Sequence, residues 1–293
     1  MSLHELVDDY YSSYDYRNLR DETKVQYKYF IGVMLNTEVD GEKLSTLDYK
    51  SVPTRVAKSA YNQWCEKGIH MANHIMSVTR ILFNHGVREE LCQLNPFANV
   101  RRRTVERRKT VWGREDVQKL LTVAYSDFST RNIGLIAHMA YEWCQRLGDM
   151  RMLTWDNIDF DTHTVHIEQS KRHADVHLPI SDDLFDMLQQ QEADFGFQPY
   201  VAPRPNSYRG EYIPYSLHKL PLHGRELMNA AGLPKELRLS DLRRTGVTEM
   251  VEAGVGMPAI MSVTGHASPN SVKPYLKNTL KSAELALTTR RNT

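Results

Sequence analysis

Five side chains between residues 146 and 275 of this 293-residue chain could together act on an anionic ester: Arg146, Lys171, Arg243, His266 and Tyr275. Arginine presents a fork of donors that stays charged, which suits phosphate oxygens. Tyrosine can attack as a covalent nucleophile, but its unperturbed pKa of about 10 requires a base or strong activation of the target. A phosphodiester fits this set, because its non-bridging oxygens must be neutralised as charge shifts in the transition state.

Taken singly, the same residues have ordinary structural explanations. Arg146 and Asp149 are three residues apart and could form a surface ion pair on one helix face. Ser240 or Asp241 could cap the helix that Arg243 opens. The lysine could be solvated at a strand end, and the histidine and tyrosine could be packing residues. Order and spacing must therefore decide between the two interpretations.

Hydrophobic periodicity predicts a helical N-terminal domain over residues 1–100. Stretches 23–35 and 72–83 carry apolar residues at three- and four-residue steps, and Pro96 ends the pattern. The residues expected on the buried face of the second stretch are Ile75, Val78, Ile81 and Leu82.

A basic run, RRRTVERRK, follows this domain and contains six basic residues and one acid without apolar periodicity. We expect an interdomain linker over 101–111. The run could be a solvated charge cluster or a strap across a phosphate backbone. The candidate DNA-contacting residues are Arg101, Arg102, Arg103, Arg107 and Arg108.

The second domain, 112–293, is predicted to mix helices and strands. Residues 115–124 are expected to form a helix, and a helical stripe then continues through Ile133, Ile136, Ala140 and Trp143. Gly265 is a helix-stop signal. Ser268 followed by Pro269 indicates an N-cap and a proline at the first helical position.

A hairpin is predicted in the middle of this domain. Residues 163–171 and 172–180 alternate as two strands, which places Lys171 at the end of the first strand. Residues 201–216 are rich in Pro, Tyr and Gly and are expected to form a loop.

Net charge, cysteine content and hydropathy do not identify the function, but they limit the expected ligands and location of the protein. The formal net charge is +1, so any affinity for DNA must come from local patches. The three cysteines are scattered, which predicts reduced thiols and no metal site. No apolar run reaches the roughly 20 residues that span a bilayer, and the N-terminus lacks a secretory pattern, so we expect a cytoplasmic protein without membrane contact.

Four segments of the second domain, taken in order, resemble the boxes of the tyrosine recombinase (phage integrase) family. They are RLGDMRMLTWDNID (146–159), SKRHADVHLPIS (170–181), SDLRRT (240–245) and VTGHAS (263–268). They resemble, in turn, the first arginine box, the β-hairpin with its leading lysine, the H-x-L-R-R-T box and the L-G-H-S-S box. Tyr275 follows His266 by nine residues, the family's spacing for the nucleophile. The resemblance spans 112–285, and 74–97 is more weakly similar to the end of the family's core-binding domain.

The resemblance implies a role for each residue. Arg146 and Arg243 would bind oxygens of the scissile phosphate. Tyr275 would attack phosphorus, giving a 3′-phosphotyrosine link and a free 5′-hydroxyl. Lys171 would protonate that leaving oxygen, and His266 would hydrogen-bond the phosphate. Because the bond energy stays in the phosphotyrosine, no metal, ATP or other cofactor is expected.

The resemblance also implies an architecture and an assembly. An all-α core-DNA-binding domain of the SAM-like type would be followed by a mixed α+β catalytic domain with a small β-sheet. The two would clasp double-stranded DNA carrying inverted-repeat core sites. A homo-tetramer would hold two duplexes, with the helix KSAELALTTRR (281–291) exchanged between neighbours. Host or element-encoded DNA-bending proteins could assist.

The biological role stays open between several candidates. An integrase that inserts or excises a phage or mobile element is favoured because the boxes are divergent, and we expect no additional N-terminal arm-binding domain. A recombinase that resolves chromosome dimers is an alternative. Others are a relaxase that resembles type IB topoisomerases and a DNA-binding protein whose catalysis is weakened. The bacterial cytoplasm or nucleoid is the expected location.

Three features qualify the match. Ser240 stands where the family usually has His, and a serine hydroxyl is no acid near neutral pH. Pro274 precedes the nucleophile and disfavours helix at Lys273, so a bent tyrosine segment is expected. Asp149 would hold a neighbouring basic or histidine side chain in place rather than contact the substrate.

Overall fold

A computed structural model describes residues 2–106, 108–171 and 173–275, together with residues 284, 287, 288, 290 and 291. The chain divides into two compact units, Met1–Arg108 and Lys109–Thr293, each with its own hydrophobic core. The boundary lies inside the basic run. Most of the predicted exchange helix, 281–291, lies outside the described residues, as does Arg107. Among the described residues, no helix combines the length and apolarity that a membrane span requires.

The first unit is mainly helical. Its helices are α1 (Leu3–Ser12), α2 (Tyr14–Arg17), α3 (Asp21–Leu35), α4 (Thr54–Glu66) and α5 (Ile69–Arg88), and its strands are β1 (Glu38–Val39) and β2 (Glu42–Lys43). Helices α3 and α4 both pack on α5. The predicted buried face of α5 is confirmed for Ile75, Val78 and Leu82, and Ile81 packs partly buried against the same core.

Two details of this unit differ from the sequence prediction. The residues 38–43 form an antiparallel hairpin rather than helix, since Asp40 and Gly41 both have positive φ, the geometry of a two-residue turn. Helix α5 ends at Arg88, well before Pro96, because Glu90 is left-handed and the Leu91 N–H donates to the Gly86 carbonyl.

The second unit combines helices with one small sheet. Its helices are α6 (Arg114–Tyr125), α7 (Phe128–Glu142), α8 (Leu147–Met150), α9 (Asp182–Phe195), α10 (Leu220–Ala230), α11 (Leu242–Glu252) and α12 (Met257–Thr264), and its strands are β3 (Ile158–Asp159), β4 (Thr164–Glu168) and β5 (Asp175–Pro179). The four predicted stripe residues on and after α7 are all buried, and 201–216 is a loop with one isolated bridge.

The sheet is antiparallel in the order β3–β4–β5. Val165 pairs with Leu178 and Ile167 with Val176, and these four side chains form its buried face. The predicted hairpin is confirmed, but its strands are shorter than expected. Lys171 lies in the turn, three residues beyond the end of β4, and not in the strand.

Candidate active site

Arg146 lies where the chain reverses between α7 and α8. Cys144 has a φ of +52°, and Arg146 occupies the N-cap position of the short α8. Its Nη1 lies 3.5 Å from Asp149 Oδ2, so the predicted ion pair forms. Arg146 precedes the helix and Asp149 lies within it, so the two residues do not share a helix face. The same Nη1 donates to Gln169 Oε1 at 3.0 Å.

Asp149 connects this arginine to the lysine turn. Its side chain is 3% exposed. Oδ1 accepts hydrogen bonds from the Ser170 hydroxyl at 2.5 Å and from the Ser170 N–H at 3.2 Å. The carboxylate therefore fastens the β4–β5 turn one residue before Lys171, which is itself exposed. The carboxylate thus has a turn serine as its hydrogen-bond partner besides its contact with Arg146, and its supporting role stays a prediction.

Arg243 enters from the first turn of α11. Helix α11 approaches the end of α7 closely at Gly246, where a Cβ would stand 2.5 Å from Cys144 Sγ and 2.6 Å from the Tyr141 carbonyl oxygen. Arg243 Nη2 donates to the Thr264 carbonyl at 2.8 Å, and Nη1 donates to Gln145 Oε1 at 3.4 Å. Burial and the nearby positive charge of Arg146 lower the pKa of Arg243 to about 10, so it remains charged at neutral pH.

His266 follows the left-handed Gly265 (φ +65°), which ends α12 as predicted. Its Nδ1 lies 2.6 Å from Thr264 Oγ1, whose hydroxyl donates to the Ile260 carbonyl at 2.7 Å. Its Nε2 lies 3.5 Å from Arg243 Nη2, a donor. Both contacts favour the neutral tautomer with the proton on Nδ1, leaving Nε2 as an acceptor. Donation from Nε2 to a phosphate would require the imidazolium form.

Tyr275 completes the set from a short 3-10 helix, Lys273–Tyr275. Lys273, where Pro274 was expected to disfavour helix, lies in this 3-10 helix rather than in an α-helix, and the expected bend stays a prediction. The ring centroids of Tyr275 and His266 are 6.3 Å apart. The guanidinium carbon of Arg244 lies 5.2 Å from the Tyr275 ring centroid, in a cation–π arrangement that sequence reasoning did not assign.

Ser240 does not cap the Arg243 helix. It is exposed in the 3-10 helix Leu239–Asp241, and the N-cap position of α11 belongs to Asp241. The Asp241 carboxylate accepts from the Arg238 N–H at 3.0 Å instead of making a side-chain cap. The expected N-cap at Ser268 is confirmed in a shorter form: its hydroxyl accepts from the Asn270 N–H, which opens a 3-10 helix.

Part of the basic run, Arg102 and Arg103, forms hydrogen bonds with helices of the first unit. Arg102 Nη1 donates to Ser77 Oγ at 2.7 Å, and Arg103 Nη2 donates to Asn62 Oδ1 at 3.1 Å. The Arg103 backbone is bound on both sides, by the Tyr61 hydroxyl and the Asn73 amide. Arg101, Arg102 and Arg103 remain exposed, and Arg108 is half-buried. Arg102 and Arg103 are thus held against α5 and α4 while they remain exposed.

Two residues of this site escaped the sequence analysis, Gln145 and Gln169. Both are fully buried between the arginines. They adjoin recognised boxes, but a glutamine in a sequence normally indicates surface, so no signal distinguished them. Within the described residues, no cluster of three or more His, Cys, Asp or Glu could hold a metal ion.

Comparison with known proteins bears on this geometry. Residues 112–281 match the model of the Phage integrase family. A tyrosine recombinase of Pseudothermotoga lettingae is 22% identical over 268 residues, which is 89% of this chain and 88% of the relative. The structure of a lambda integrase tetramer bound to a Holliday junction has 20% identity and a TM-score of 0.76, covering 95% of this chain and 78% of that one. The Tn1549 transposon integrase in complex with circular intermediate DNA has 15% identity and a TM-score of 0.76, covering 98% and 99%. At these identities the structural likeness shows the fold.

Proposed function

This chain belongs to the phage integrase family, and on that premise we propose that it is a site-specific DNA recombinase that cuts and rejoins strands through Tyr275. One observation carries the proposal: Arg146, Arg243 and His266 come from distant segments and converge on one network, with Tyr275 beside it. Two guanidiniums held by one hydrogen-bond network suit a phosphodiester, whose charge must be matched in the transition state.

The proposed step balances as follows. The phenolic oxygen of Tyr275 bonds to phosphorus, and the bond from phosphorus to the 5′-oxygen breaks. The phenolic proton leaves to an acceptor, and we assign that role to Nε2 of His266, whose ring centroid lies 6.3 Å from that of Tyr275. The 5′-oxygen takes a proton from Lys171, and the strand is left as a 3′-phosphotyrosine. Attack by a 5′-hydroxyl on the phosphotyrosine reverses the step and reseals the strand. Because the phosphotyrosine keeps the energy of the broken bond, the proposed chemistry uses no nucleotide cofactor and no metal.

We assign the other residues to supporting and DNA-binding roles. Asp149 holds the lysine turn through Ser170 and lies near Arg146. Ser240 offers a hydroxyl near the start of α11 in place of the family's histidine. The exposed arginines of the basic run, Arg101 to Arg103, contact phosphates. Arg107 and Arg108 are proposed for the same role, and Arg107 lies outside the described residues.

We further propose duplex DNA with inverted-repeat core sites as the substrate and a tetramer as the active assembly. The lambda integrase relative was solved as a tetramer on a Holliday junction, and the Tn1549 relative with circular intermediate DNA. These relatives favour integration or excision of a phage or mobile element over chromosome-dimer resolution. Accessory DNA-bending proteins and action in the bacterial cytoplasm or nucleoid belong to the same proposal.

The test is covalent trapping. Nicked suicide duplexes carrying the repeats that flank the gene should yield a protein–DNA adduct that survives a denaturing gel. Tyr275→Phe should bind the same duplexes with similar affinity and give no adduct. An adduct from Tyr275→Phe would contradict the assignment of the nucleophile.

The same assay separates the alternatives. A wild-type protein that binds but forms no adduct would be a DNA-binding protein of this fold. Adduct formation and plasmid relaxation without strand exchange would indicate a relaxase. Exchange between two repeat-bearing duplexes is the outcome expected of a recombinase.

A further inference from the structure

Two fully buried glutamines occupy the space between the site's arginines. Gln145 and Gln169 are each 0% exposed. A buried amide is costly unless its donors and acceptors are paired, so its hydrogen bonds restrict its position. The partners of these two amides therefore show what they hold in place.

Gln145 is oriented by two backbone carbonyls. Its Nε2 donates to the Trp143 oxygen at 2.8 Å and to the Val263 oxygen at 2.7 Å, which uses both amide hydrogens. Its Oε1 is then directed to the opposite side, where it accepts from Gln169 Nε2 at 2.7 Å and from Arg243 Nη1 at 3.4 Å.

Gln169 extends the same chain of amides. Its Nε2 also donates to the Thr264 carbonyl at 2.8 Å, and its Oε1 accepts from Arg146 Nη1 at 3.0 Å. A flipped amide would set oxygen against oxygen at two contacts and N–H against N–H at the arginine, so the partners determine its orientation. A carbonyl oxygen thus faces each guanidinium.

The bridge packs closely against the end of α12 at Gly265. At Gly265 a Cβ would stand 2.5 Å from Gln169 Nε2 and 2.8 Å from its Cδ. The glycine is required both for its positive φ and for the approach of this amide. The segment that carries His266 is thereby packed against the same bridge.

Electrostatics explains why the bridge is made of amides. Arg146 and Arg243 repel each other, and a carboxylate between them would relieve that repulsion. It would also neutralise charge that the phosphate needs. A neutral amide accepts the guanidinium N–H groups without adding a second negative charge to that of Asp149, which already lies 3.5 Å from Arg146.

We propose that Gln145 and Gln169 are positioning residues that set the spacing and orientation of Arg146 and Arg243 without adding negative charge beside the scissile phosphate. This inference rests on the proposed function. It adds a dependence of the reaction on two neutral side chains that contact neither DNA nor nucleophile.

The experiment compares three methionine variants in single-turnover adduct formation: Gln145→Met, Gln169→Met and Gln191→Met. Methionine keeps the length of glutamine and removes its hydrogen bonds. Gln191 is the matched control, because it is also 0% exposed and its Nε2 also donates twice, to Asn132 Oδ1 and to the Val201 carbonyl. Melting temperature and DNA affinity are measured on the same proteins.

We expect the first two variants to lose about 10²-fold in adduct formation, the scale of a small misplacement of catalytic groups, with DNA affinity within a few-fold. Gln191→Met should lose thermal stability to a similar extent and keep its cleavage rate. Near-normal cleavage by Gln145→Met and Gln169→Met, or an equal loss in Gln191→Met, would overturn the inference.

A charge variant tests the need for neutrality. Gln169→Glu keeps the size of the side chain and can pair with Arg146, although its second oxygen then faces Gln145 Oε1 and the Thr264 carbonyl. That structural cost is the same on any substrate, so a comparison of two substrates isolates the effect of charge and carries the test if the methionine variants do not fold. The variant should be slow on a phosphodiester. Its defect should shrink on a duplex with a methylphosphonate at the scissile position, where there is no phosphate charge to neutralise. Equal defects on both substrates would refute the charge argument.

Adduct formation by the wild-type protein and by the glutamine variants distinguishes the proposed function from the positioning role. A wild-type protein that forms no adduct contradicts the proposed function. A wild-type protein that forms the adduct, together with glutamine variants of normal rate, contradicts the positioning role alone.

Discussion

Arg243 and Lys171 belong to one candidate site but lie in opposite surroundings. Arg243 is bound by the Thr264 carbonyl and Gln145, and its pKa is lowered by burial. Lys171 is exposed in a turn that is held from beneath by Asp149 through Ser170. Arg146 resembles Arg243, since Gln169 and Asp149 hold its guanidinium.

The difference follows from the two kinds of chemistry. Charge stabilisation requires donors that are already in place, because reorganising them during the reaction costs energy. Proton transfer requires a group that can approach the leaving oxygen. The activity should therefore be sensitive to the geometry of the half-buried arginines and to the protonation of the exposed lysine.

Replacing the two half-buried arginines should have the largest effect. Arg146→Lys and Arg243→Lys keep the charge but lose the bidentate fork, so adduct formation should fall by about 10²–10³-fold. Arg131→Lys is the matched control: Arg131 is buried in the same unit but pairs with Asp194. Near-normal rates in the first two variants would show that charge alone is needed and would remove the contrast with Lys171.

Lys171→Ala should slow cleavage by about 10²-fold, the lower range for a general acid. Replacing the 5′-bridging oxygen with sulfur should restore the rate, since a thiolate leaves without a proton. The arginine variants should not be rescued by this substrate. Lys119→Ala, an exposed lysine on α6, should behave as wild type on both substrates. A Lys171→Ala protein that stays equally slow with sulfur is inconsistent with its role as the acid.

The exposed arginines of the first unit should act by charge alone. Neutralising Arg101, Arg102 and Arg103 should weaken binding to all DNA sequences alike. The slope of log K against log salt should become shallower by about 0.9 for each lost phosphate contact. Titrations of specific and random duplexes at several salt concentrations measure this, and an unchanged slope would mean that the run faces solvent in the complex.

Ser240 should give the smallest effect, because it is exposed and is not the N-cap of α11. Ser240→Ala should change the free energy of unfolding by less than about 0.5 kcal/mol. Cleavage should fall by roughly 2–10-fold if the hydroxyl donates one hydrogen bond to the phosphate. Ser240→His should keep or raise the rate. A loss of stability in Ser240→Ala would restore the capping interpretation.

The elements around the site were predictable where a local signal existed. Gly265 ends α12, Ser268 caps the next turn, and the stripe from Ile133 to Trp143 is buried. The predictions were wrong where the outcome depended on the length of a turn or on packing with distant residues. The Asp40–Gly41 turn interrupts a region that periodicity assigned to helix, and Lys171 is beyond the strand because the hairpin's turn is longer than two residues.

The sequence by itself determined the family resemblance and the kind of chemistry expected. Both depend only on residue order and spacing, which are visible in the chain for Arg146, Lys171, Arg243, His266 and Tyr275. Only the tertiary structure decided how the arginines are held. Gln145 and Gln169 are far apart in the sequence but form a hydrogen bond with each other. Glutamine is usually exposed, so neither residue was expected to be buried. Their role arises from burial, which makes every unpaired amide costly and so turns two glutamines into a support for the site.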